Sequence, residues 1–389
     1  MDPSTRSTPV VNARALGSLI AASADAIEQT RRIPAPLVAA LHKSRLFRMH
    51  LPRSVGGDQV EPGQYLLAVE EISKADASLG WMLFVANSTA LIAPYLDLKV
   101  ARTIFGAPDS VVAWGPPNAC RTQAVDGGYI VNGTWDFASG CRLASWMGAH
   151  TLVVEPDGKL RLNQFGRPAV RTFLFPLKDV ELHDTWDTIG LRGTASDSYS
   201  AKDLFVPEAF SSTREDPSLR REPGPLYAFT QQGLYAVGAA GVGLGIARAM
   251  LEALIDLATR KTPRGLVRMA DSPTVQADIA RSEARIGAAR AYLLETLADI
   301  YARADDMEPV GVRDRAHLRL ATTNVLHAAI EVCDYVYKAA GVDAIFRGKG
   351  PFERRFRDMH TVSQQIQARS AHFEAVGQVL LGSPPEIFY

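Results

Sequence analysis

The chain has 389 residues, with 42 Lys+Arg, 42 Asp+Glu and 47% hydrophobic residues. This length suggests two or three structural units, and the apolar content excludes a disordered chain. The formal net charge of zero argues against nucleic acid or an anionic membrane as the partner, and leaves a small, largely apolar molecule open.

The amino terminus and the cysteines indicate a soluble protein of a reducing compartment, and we expect the cytoplasm. Residues 1–11 are polar and lack the apolar core of a secretory signal. Cys120, Cys141 and Cys333 are odd in number and have no CxxC spacing, so we expect neither a disulfide framework nor a cysteine zinc site. The longest apolar stretch, 234–258, contains charged residues and predicts a buried helix, not a membrane span.

Residues 1–110 are predicted to form a helical domain. Their apolar residues recur at helical spacing among strong helix formers. Proline and paired glycines at 51–57 predict a loop within this domain. The predicted helices are 19–30, 34–44, 62–75 and 78–95.

Residues 111–212 have the pattern of strands. Short β-branched and aromatic runs alternate with turn residues, and no helix-length segment interrupts them, so we expect an antiparallel barrel or sandwich. Asn132-Gly133, between the runs 129–131 and 134–137, suits a type I′ turn and predicts a hairpin. The remaining predicted elements are a second hairpin over 151–162 and strands at 171–177 and 198–206.

Residues 225–389 are predicted to form a four-helix bundle after a charged, proline-rich linker at 213–224. Ser272-Pro273 suits the first turn of one helix, and Gly341 suits the end of the next. Apolar residues at spacings of three, four and seven give these two helices one buried face each. The last helix is predicted over 356–381.

Two further patterns do not predict a site. Gly238, Gly241, Gly243 and Gly245 lack the third glycine that GxGxxG requires, so we interpret them as a small-residue face for close helix packing. The eight histidines form neither HxxxH nor HExxH, and no GxSxG elbow is present. Neither a metal site nor a hydrolase triad is therefore expected.

An aromatic and hydroxyl cluster follows the first predicted hairpin: Trp135, Phe137, Ser139 and Trp146. A flavin ring system needs flat apolar walls and a few hydrogen-bonding groups near N5 and O4, and this cluster supplies both. An aromatic β-core is the competing interpretation of the same residues. Arg357-Asp358 similarly allows two interpretations, a buried ion pair that holds the last helix or an ordinary surface pair.

Five segments, in this order along nearly the whole chain, resemble the acyl-CoA dehydrogenase superfamily. The resemblance implies an α+β multidomain fold: a helical domain, an antiparallel β-barrel and a four-helix bundle. It also implies a homotetramer with flavin near the subunit interfaces, and it puts Phe137 and Ser139 against the flavin. The five segments are Leu51-Pro52 with Gly56-Gly57, then 76–81, 132–146, 190–208 and 354–358.

Both places where the resemblance puts the catalytic carboxylate of an acyl-CoA dehydrogenase lack one: 359–367 contains no Glu, and 231–235 contains no carboxylate. The chain is similar instead to the flavin-dependent monooxygenase branch, such as the oxygenase components of two-component aromatic hydroxylases. Those proteins take reduced flavin from a separate reductase and react it with O2 in a site that excludes water. Ser139 is then the expected hydrogen-bond donor near flavin N5.

Gln365 stands where many of these hydroxylases carry a histidine, eight residues after the arginine of Arg-Asp. Gln365 can donate or accept a hydrogen bond but cannot take up a proton. His360 is the second catalytic candidate, although on a straight helix it faces elsewhere than Gln365. The other candidate cofactor-binding residues are Trp114, Trp146, Ser196, Arg260 and Gly341, with Asn118 as a further pocket residue.

The sequence therefore predicts the oxygenase component of a flavin-dependent monooxygenase. It is expected to use reduced flavin and O2 to oxygenate a small apolar or aromatic substrate. The stretches 260–263 and 338–341 depart from the family pattern that holds the ADP half of FAD, so the sequence leaves FMN and FAD both open. The alternatives are an acyl-CoA dehydrogenase with an unrecognised base and a catalytically inactive flavin-binding oligomer.

Overall fold

Within the described residues, helices form the first and last parts of the chain and strands form the part between them. The structure, a computed structural model, describes residues 7–213 and 216–383. The ends of the first and last predicted domains, 1–6 and 384–389, and residues 214–215 of the predicted linker lie outside the described residues.

Capping explains where the first helices begin and end. The first helix starts at Pro9, well before the predicted start, because Thr8 accepts a hydrogen bond from the Val11 amide and proline suits the first turn. Asp76 ends the third helix and caps the fourth by accepting the Leu79 amide at 2.9 Å. The bounds are α1 (Pro9–Thr30), α2 (Ala35–Lys43), α3 (Pro62–Ala75), α4 (Ala77–Ala90) and α5 (Leu98–Phe105).

The middle of the chain forms one mixed sheet. Its strands are β1 (Val112–Trp114), β2 (Arg121–Val125), β3 (Gly128–Ala138), β4 (Trp146–Val154), β5 (Val170–Pro176), β6 (Glu181–His183), β7 (Asp197–Pro207) and β8 (Ser211–Ser212). They are ordered β6-β7-β3-β2-β4-β5-β8, with β1 paired to β4. Both β1 and β2 run parallel to β4, so the sheet is not purely antiparallel. Within the described residues no pairing joins β6 to β8, and the predicted closed barrel is therefore not confirmed.

The prediction of a hairpin at Asn132-Gly133 is wrong. β3 continues through both residues, and its register against β7 shifts between Val131 and Gly133 as a bulge. The Asn132 side chain accepts the Asp203 amide at 2.7 Å and donates to the Asp203 carboxylate at 3.2 Å, so it links two strands where a turn was expected. The chain reverses earlier, between β2 and β3, where Gly127 has a φ of 72°.

The second predicted hairpin is confirmed, but it is short: residues 153–155 pair with 159–161 through two backbone hydrogen bonds. The Gly158 amide donates to the Glu155 carbonyl at 2.9 Å, and a single bridge joins Val154 to Leu160. The antiparallel partner of β4 beyond this turn is β5.

The carboxyl-terminal part contains long helices, as predicted, but the last one is divided. The chain leaves the helical conformation at Gln365, where ψ is 147°, and the Gln365 side chain accepts the Gln367 amide at 2.7 Å. His360 and Gln365 are therefore not on one straight helix. The bounds are α6 (Gln231–Arg260), α7 (Pro273–Arg303), α8 (Val312–Ala340), α9 (Phe352–Ser363) and α10 (Ala371–Leu380).

The predicted helix ends in this part are largely confirmed. Pro273 begins α7, although the Ser272 side chain makes no capping hydrogen bond. Gly341 ends α8 with a φ of 61°, a conformation that glycine adopts without strain.

One apolar core joins the amino-terminal helices to the bundle. The glycines of α6 permit this close approach. A Cβ at Gly238 would lie 2.4 Å from the Tyr65 hydroxyl, and one at Gly245 would lie 2.6 Å from the Glu70 carbonyl. The interpretation of these glycines as a packing face is confirmed.

Among the described residues, three helical segments are long and apolar enough, by length and composition alone, to cross a membrane: Pro9–Thr30, Ala77–Tyr95 (α4 and the short turn that follows it) and Gln231–Arg260. The apolar windows of the second and third are 100% and 83% buried inside the fold, whereas that of the first is 28% buried. Packing within the fold therefore accounts for the apolar character of α4 and α6.

Candidate active site

Three hydroxyl groups form a buried series of hydrogen bonds where β3 ends, and we call this series the hydroxyl chain (Ser139, Ser196 and Thr194). The oxygens of Ser139 and Ser196 lie 2.6 Å apart, and those of Ser196 and Thr194 lie 2.8 Å apart. The indole N–H of Trp81, on α4, donates to the Ser139 hydroxyl at 3.2 Å. The structure thus brings together the predicted site residues Ser139 and Ser196, and adds Trp81 and Thr194 to them.

Backbone hydrogen bonds hold this arrangement in place. The Ser139 amide donates to the Phe137 carbonyl at 2.9 Å, which turns the chain sharply at the end of β3. The next amide, that of Gly140, donates to the Thr194 carbonyl at 3.0 Å. The end of β3 and the loop before β7, which are far apart in the sequence, are therefore joined through both backbone and side chains.

Phe137 presents a flat apolar face beside the hydroxyl chain. Its ring is 60% exposed and meets the Trp186 ring edge-on, with the centroids 6.2 Å apart. Its φ is 62°, an uncommon value for a residue with a side chain. An exposed aromatic face next to buried hydroxyl groups fits the requirements of a flavin ring system.

Asp358 holds the loop that carries Thr194 and Ser196. Its carboxylate accepts the Leu191 amide at 2.7 Å, which joins α9 to this loop. Burial raises the pKa of Asp358 to about 7, even though the nearby Arg355 guanidinium lowers it. The Asp358 side chain therefore has a structural role as a hydrogen-bond acceptor, and its ionised form is unfavourable in this buried position.

Arg357 and Asp358 do not pair with each other, so neither sequence-based interpretation of them is right. Arg357 binds Glu28 of α1 at 2.8 Å and Glu353 of its own helix at 2.6 Å. A Cβ at Gly190 would lie 2.2 Å from the Arg357 carbonyl, so only glycine lets the loop approach α9 this closely. The Arg-Asp segment thus connects α9 to α1 and to the loop.

A row of aromatic rings leads from the hydroxyl chain to Gln365. The Trp81 ring meets the Phe84 ring edge-on at 4.7 Å, and Phe84 meets Tyr235 in the same way at 4.9 Å. The Gln365 side chain forms a hydrogen bond with the Tyr235 hydroxyl, and burial raises the pKa of Tyr235, so the phenol stays protonated. In the sequence, Tyr235 stands out only as one of the residues 231–235 that include no carboxylate, and no local pattern indicates its contact with Gln365.

His360 contacts a different part of the bundle. Its Nε2 atom lies 2.9 Å from an Asp334 oxygen on α8, and its ring packs against Phe356 at 4.2 Å. These contacts join α9 to α8. They give His360 no contact with the hydroxyl chain among the described residues.

Trp114 and Trp146 are not part of the hydroxyl chain. Both belong to a separate apolar core between α5 and the sheet. Trp146 stacks on Phe210 at 5.7 Å, and Trp114 meets the His150 ring edge-on at 4.9 Å. Asn118 lies on the surface and donates to the Thr134 carbonyl at 2.7 Å.

Arg260 and Gly341 lie near each other at one end of the bundle. Arg260 is exposed and pairs with Asp256 on its own helix. The next residue, Lys261, donates to the Ala340 carbonyl at 2.6 Å, beside Gly341. The structure thus brings these two candidates together at the ends of α6 and α8, as a group separate from the hydroxyl chain.

Comparison with family models gives two matches. Residues 13–97 match the acyl-CoA dehydrogenase N-terminal domain, and residues 237–369 match the acyl-CoA dehydrogenase C-terminal domain. Between them, these two models cover more than half of the chain.

Relatives are found among flavin-dependent monooxygenases. Indole-3-acetate monooxygenase from Pseudomonas putida is 30% identical over 365 residues, which are 92% of this chain and 90% of that protein. The oxygenase component of FADH(2)-dependent resorcinol hydroxylase from Rhizobium sp. (strain MTP-10005) is 29% identical over 396 residues, 95% of this chain and 93% of that protein.

A solved structure shows the same fold. XiaF from Streptomyces sp., in complex with FADH2 and glycerol, has a TM-score of 0.88, is 24% identical, and matches 98% of this chain and 96% of its own. The fold, the hydroxyl chain beside Phe137 and these matches together define a flavoenzyme of the acyl-CoA dehydrogenase type. The chain belongs to the acyl-CoA dehydrogenase superfamily and, within it, to the flavin-dependent monooxygenases.

Proposed function

We propose that this protein is the oxygenase component of a two-component system that uses reduced flavin and O2 to hydroxylate a small aromatic compound. The observation that carries the proposal is the hydroxyl chain beside the exposed face of Phe137, with the aromatic row Trp81, Phe84 and Tyr235 leading from it to Gln365. The names of the two relatives, a monooxygenase of indole-3-acetate and a FADH(2)-dependent hydroxylase of resorcinol, support an aromatic substrate and reduced flavin.

The residues of the site have distinct roles in this proposal. When bound, reduced flavin would supply two electrons, so that one oxygen atom of O2 enters the substrate and the other leaves as water. Phe137 provides a flat apolar surface for the flavin ring, and Ser139 provides a polar contact to it. The aromatic row excludes water from this side of the hydroxyl chain, and its partly exposed member Tyr235 is the ring that a substrate would contact.

Gln365 and Tyr235 are the groups that we assign to the polar end of the substrate. The amide and the protonated phenol both donate hydrogen bonds, and neither acts as a base near neutral pH. Orientation of the substrate is therefore their expected contribution, through hydrogen bonds to a ring hydroxyl or carboxylate. His360 is assigned the role of joining α9 to α8 through Asp334.

Three finer features belong to the same proposal. Arg260 and Gly341 would meet the part of the cofactor beyond the ring, which is short in FMN and long in FAD. Trp114 and Trp146 would support the sheet behind the ring. We further propose a homotetramer served by a separate reductase in the cytoplasm, where free cysteines such as the buried Cys141 and Cys333 stay reduced.

Rapid mixing tests the proposed function directly. The protein is mixed anaerobically with reduced FMN or reduced FAD and then with O2, and absorbance is followed in a stopped-flow spectrometer. We expect a transient absorbing species, distinct from reduced and oxidised flavin, that precedes reoxidation. Ser139→Ala should shorten its lifetime at least tenfold, whereas Ser282→Ala, which removes a buried helical hydroxyl in the bundle, should leave it unchanged.

The alternatives give different results. Direct reoxidation without a transient species, together with anaerobic bleaching of bound oxidised flavin by an acyl-CoA, would identify an acyl-CoA dehydrogenase. Binding of flavin with neither response, and without hydroxylation of indole-3-acetate, indole or resorcinol, would indicate an inactive flavin-binding protein. Either outcome contradicts the proposal.

A further inference from the structure

The short turn 366–368, which follows Gln365, is held by side chains of two helices. The Nε2 atom of His372, on α10, lies 2.8 Å from the Ile366 carbonyl, and that of His327, on α8, lies 3.0 Å from the Ala368 carbonyl. A carbonyl oxygen can only accept, so each histidine carries a proton on Nε2 and donates it. The backbone of the turn is thus fixed from both sides.

A buried arginine fixes the side chain in the middle of this turn. Arg319 and Gln367 are each 3% exposed, and the Arg319 guanidinium donates to the Gln367 side-chain oxygen. Since a guanidinium can only donate, the Gln367 side chain must present its oxygen to Arg319. Its NH2 group then faces Gln232 on α6, whose side-chain oxygen is 3.5 Å away.

The same reasoning fixes the orientation of Gln365. The Gln367 backbone amide can only donate, so the atom that it meets at 2.7 Å is the side-chain oxygen of Gln365. Because that oxygen faces the turn, the NH2 group of Gln365 is left for Tyr235. Burial raises the pKa of Tyr235 and the bond to Gln365 lowers it, which is the effect of a donor on a phenol oxygen.

This orientation leaves the proton of the Tyr235 hydroxyl available. A phenol has one proton to donate, and here its oxygen accepts from Gln365. In the part of the chain that the structure describes, Gln365 is the group that forms a hydrogen bond with this hydroxyl. Tyr235 is partly exposed and ends the aromatic row, so its O–H group can meet a molecule bound in the site.

We propose that Tyr235 is a specificity-determining residue that donates a hydrogen bond to an oxygen acceptor of the aromatic substrate, and that Gln365 is the positioning residue that directs it. The inference rests on the proposed function and narrows its substrate class to aromatic compounds whose polar end is a carbonyl, carboxylate or phenol oxygen. A compound with only an N–H group at that end would bring one donor against another. Both groups would then lose their hydrogen bonds to water without replacement, which disfavours binding.

Equilibrium binding of two neutral indoles tests the proposal without turnover. Indole-3-carbaldehyde carries a carbonyl acceptor, whereas 3-methylindole has the same ring system without one. Their dissociation constants are measured for the full-length protein in the presence of oxidised FMN or FAD. We expect the parent protein to prefer the aldehyde, and Tyr235→Phe to reduce that preference about tenfold by weakening the binding of the aldehyde alone.

A second variant tests the direction of the bond between Gln365 and Tyr235. Gln365→Glu has nearly the same shape, but a carboxylate can only accept, so Tyr235 must donate its proton to it. We expect this variant to lose the preference for the aldehyde as Tyr235→Phe does. The matched control is Gln364→Glu, which makes the same change of charge at the exposed neighbouring residue and should keep the preference. A purely structural loss would weaken the binding of both indoles equally.

The outcomes separate this inference from the proposed function. If the parent protein has no preference for the aldehyde, or if Tyr235→Phe and Gln365→Glu retain it, the inference is wrong. The oxygenase proposal still stands in that case, provided that the transient species appears after mixing with O2. If the parent protein gives no transient species with reduced FMN or FAD, the proposed function fails and the inference fails with it.

Discussion

At the scale of single residues, the buried polar groups of this site have more specific partners than its aromatic residues have. Ser139, Ser196 and Thr194 are all buried, and each hydroxyl has a specific partner. A buried hydroxyl without a partner is costly, so such a series has few alternative arrangements. This constraint holds the three hydroxyl groups in one arrangement.

The acid Asp358 gives a prediction at the same scale. Its pKa is raised to about 7 by burial, above the ordinary value of 3.8. Between about pH 4 and pH 7 the folded protein holds this proton while the unfolded chain has lost it, so the free energy of unfolding falls as the pH rises through that window. The stabilisation is complete below about pH 4 and is lost by about pH 7.

Asp358→Asn keeps an oxygen for the Leu191 amide and removes the charge. We expect the variant to lose much of the decrease in stability between pH 4 and 7, an effect on the order of a few kcal/mol. Burial also raises the pKa of Asp76, so some slope should remain. Thermal unfolding of the parent protein and of Asp358→Asn across this pH range measures how stability changes with pH. Glu295→Gln, at an exposed carboxylate, is the control. An unchanged slope in Asp358→Asn would show that Asp358 is ionised throughout.

At the scale of elements, local patterns gave the type of most segments correctly but not their ends or their partners. The helix over 62–75 was predicted with its exact bounds because proline begins it and Asp76 ends it. β3 was predicted as a hairpin because Asn132-Gly133 is a strong local turn signal. Its long-range partner Asp203 overrides that signal, and no local pattern reveals such a partner.

The glycine face of α6 gives a prediction at this scale. Gly245 lies in a helix interior, and a Cβ there would meet the Glu70 carbonyl at 2.6 Å, whereas a Cβ at Gly287, in the interior of α7, would meet nothing within 4 Å. Gly245→Ala should therefore destabilise the protein by about 1–3 kcal/mol through overpacking. Gly287→Ala should stabilise it by up to about 1 kcal/mol, because alanine loses less chain entropy in a helix.

The two substitutions are chemically identical, so each serves as the control of the other. Their midpoints of thermal unfolding should shift in opposite directions. An upward shift for both variants would mean that helix propensity, and not the α3–α6 contact, decides the effect at Gly245.

At the scale of the whole molecule, the two helical parts share one core, and the loop 190–196 is one of the places where the β part contacts them. Leu191 contacts α9 through Asp358, and Gly193 donates to Ser78 of α4 at 3.2 Å. The candidate site is thus formed where three parts of the chain meet. The arrangement of the site therefore depends on contacts between these parts, and no single part forms it alone.

The molecule also exposes an apolar ridge at one end of the bundle, formed by Val342, Ile345 and Phe346. These side chains are 59%, 60% and 43% exposed. Apolar clusters of this kind on a surface often mark subunit contacts. The ridge follows Gly341, one of the candidate cofactor-binding residues, so assembly and cofactor binding are expected to be linked.

If the protein forms the homotetramer proposed above, light scattering should give about four times the chain mass of 42.2 kDa. Ile345→Glu should give a smaller species and weaken flavin binding, because a charge is placed in the proposed contact. Leu162→Glu, at a residue that is 58% exposed on the β domain, is the matched control and should leave the assembly unchanged. A monomeric parent protein, or an Ile345→Glu variant of unchanged mass, would rule out this ridge as a contact.

The sequence by itself determined the order of helices, strands and helices, the family, and the identity of Ser139, Phe137 and the Arg-Asp segment as residues of interest. Periodicity and capping act over a few residues, so they can be read along the chain. The sequence alone also shows that 231–235 and 359–367 contain no carboxylate, which favoured the oxygenase branch over the dehydrogenases.

Only the tertiary structure decided how these residues act together. It ended α9 before Gln365 and placed Tyr235 against that residue, it joined Asp358 to Leu191 where a pair with Arg357 was expected, and it left the sheet open. Two of these features, the contact of Tyr235 with Gln365 and that of Leu191 with Asp358, depend on hydrogen bonds between residues that are far apart in the chain. Such bonds form only when burial removes water as the alternative partner, and burial is a property of the whole fold.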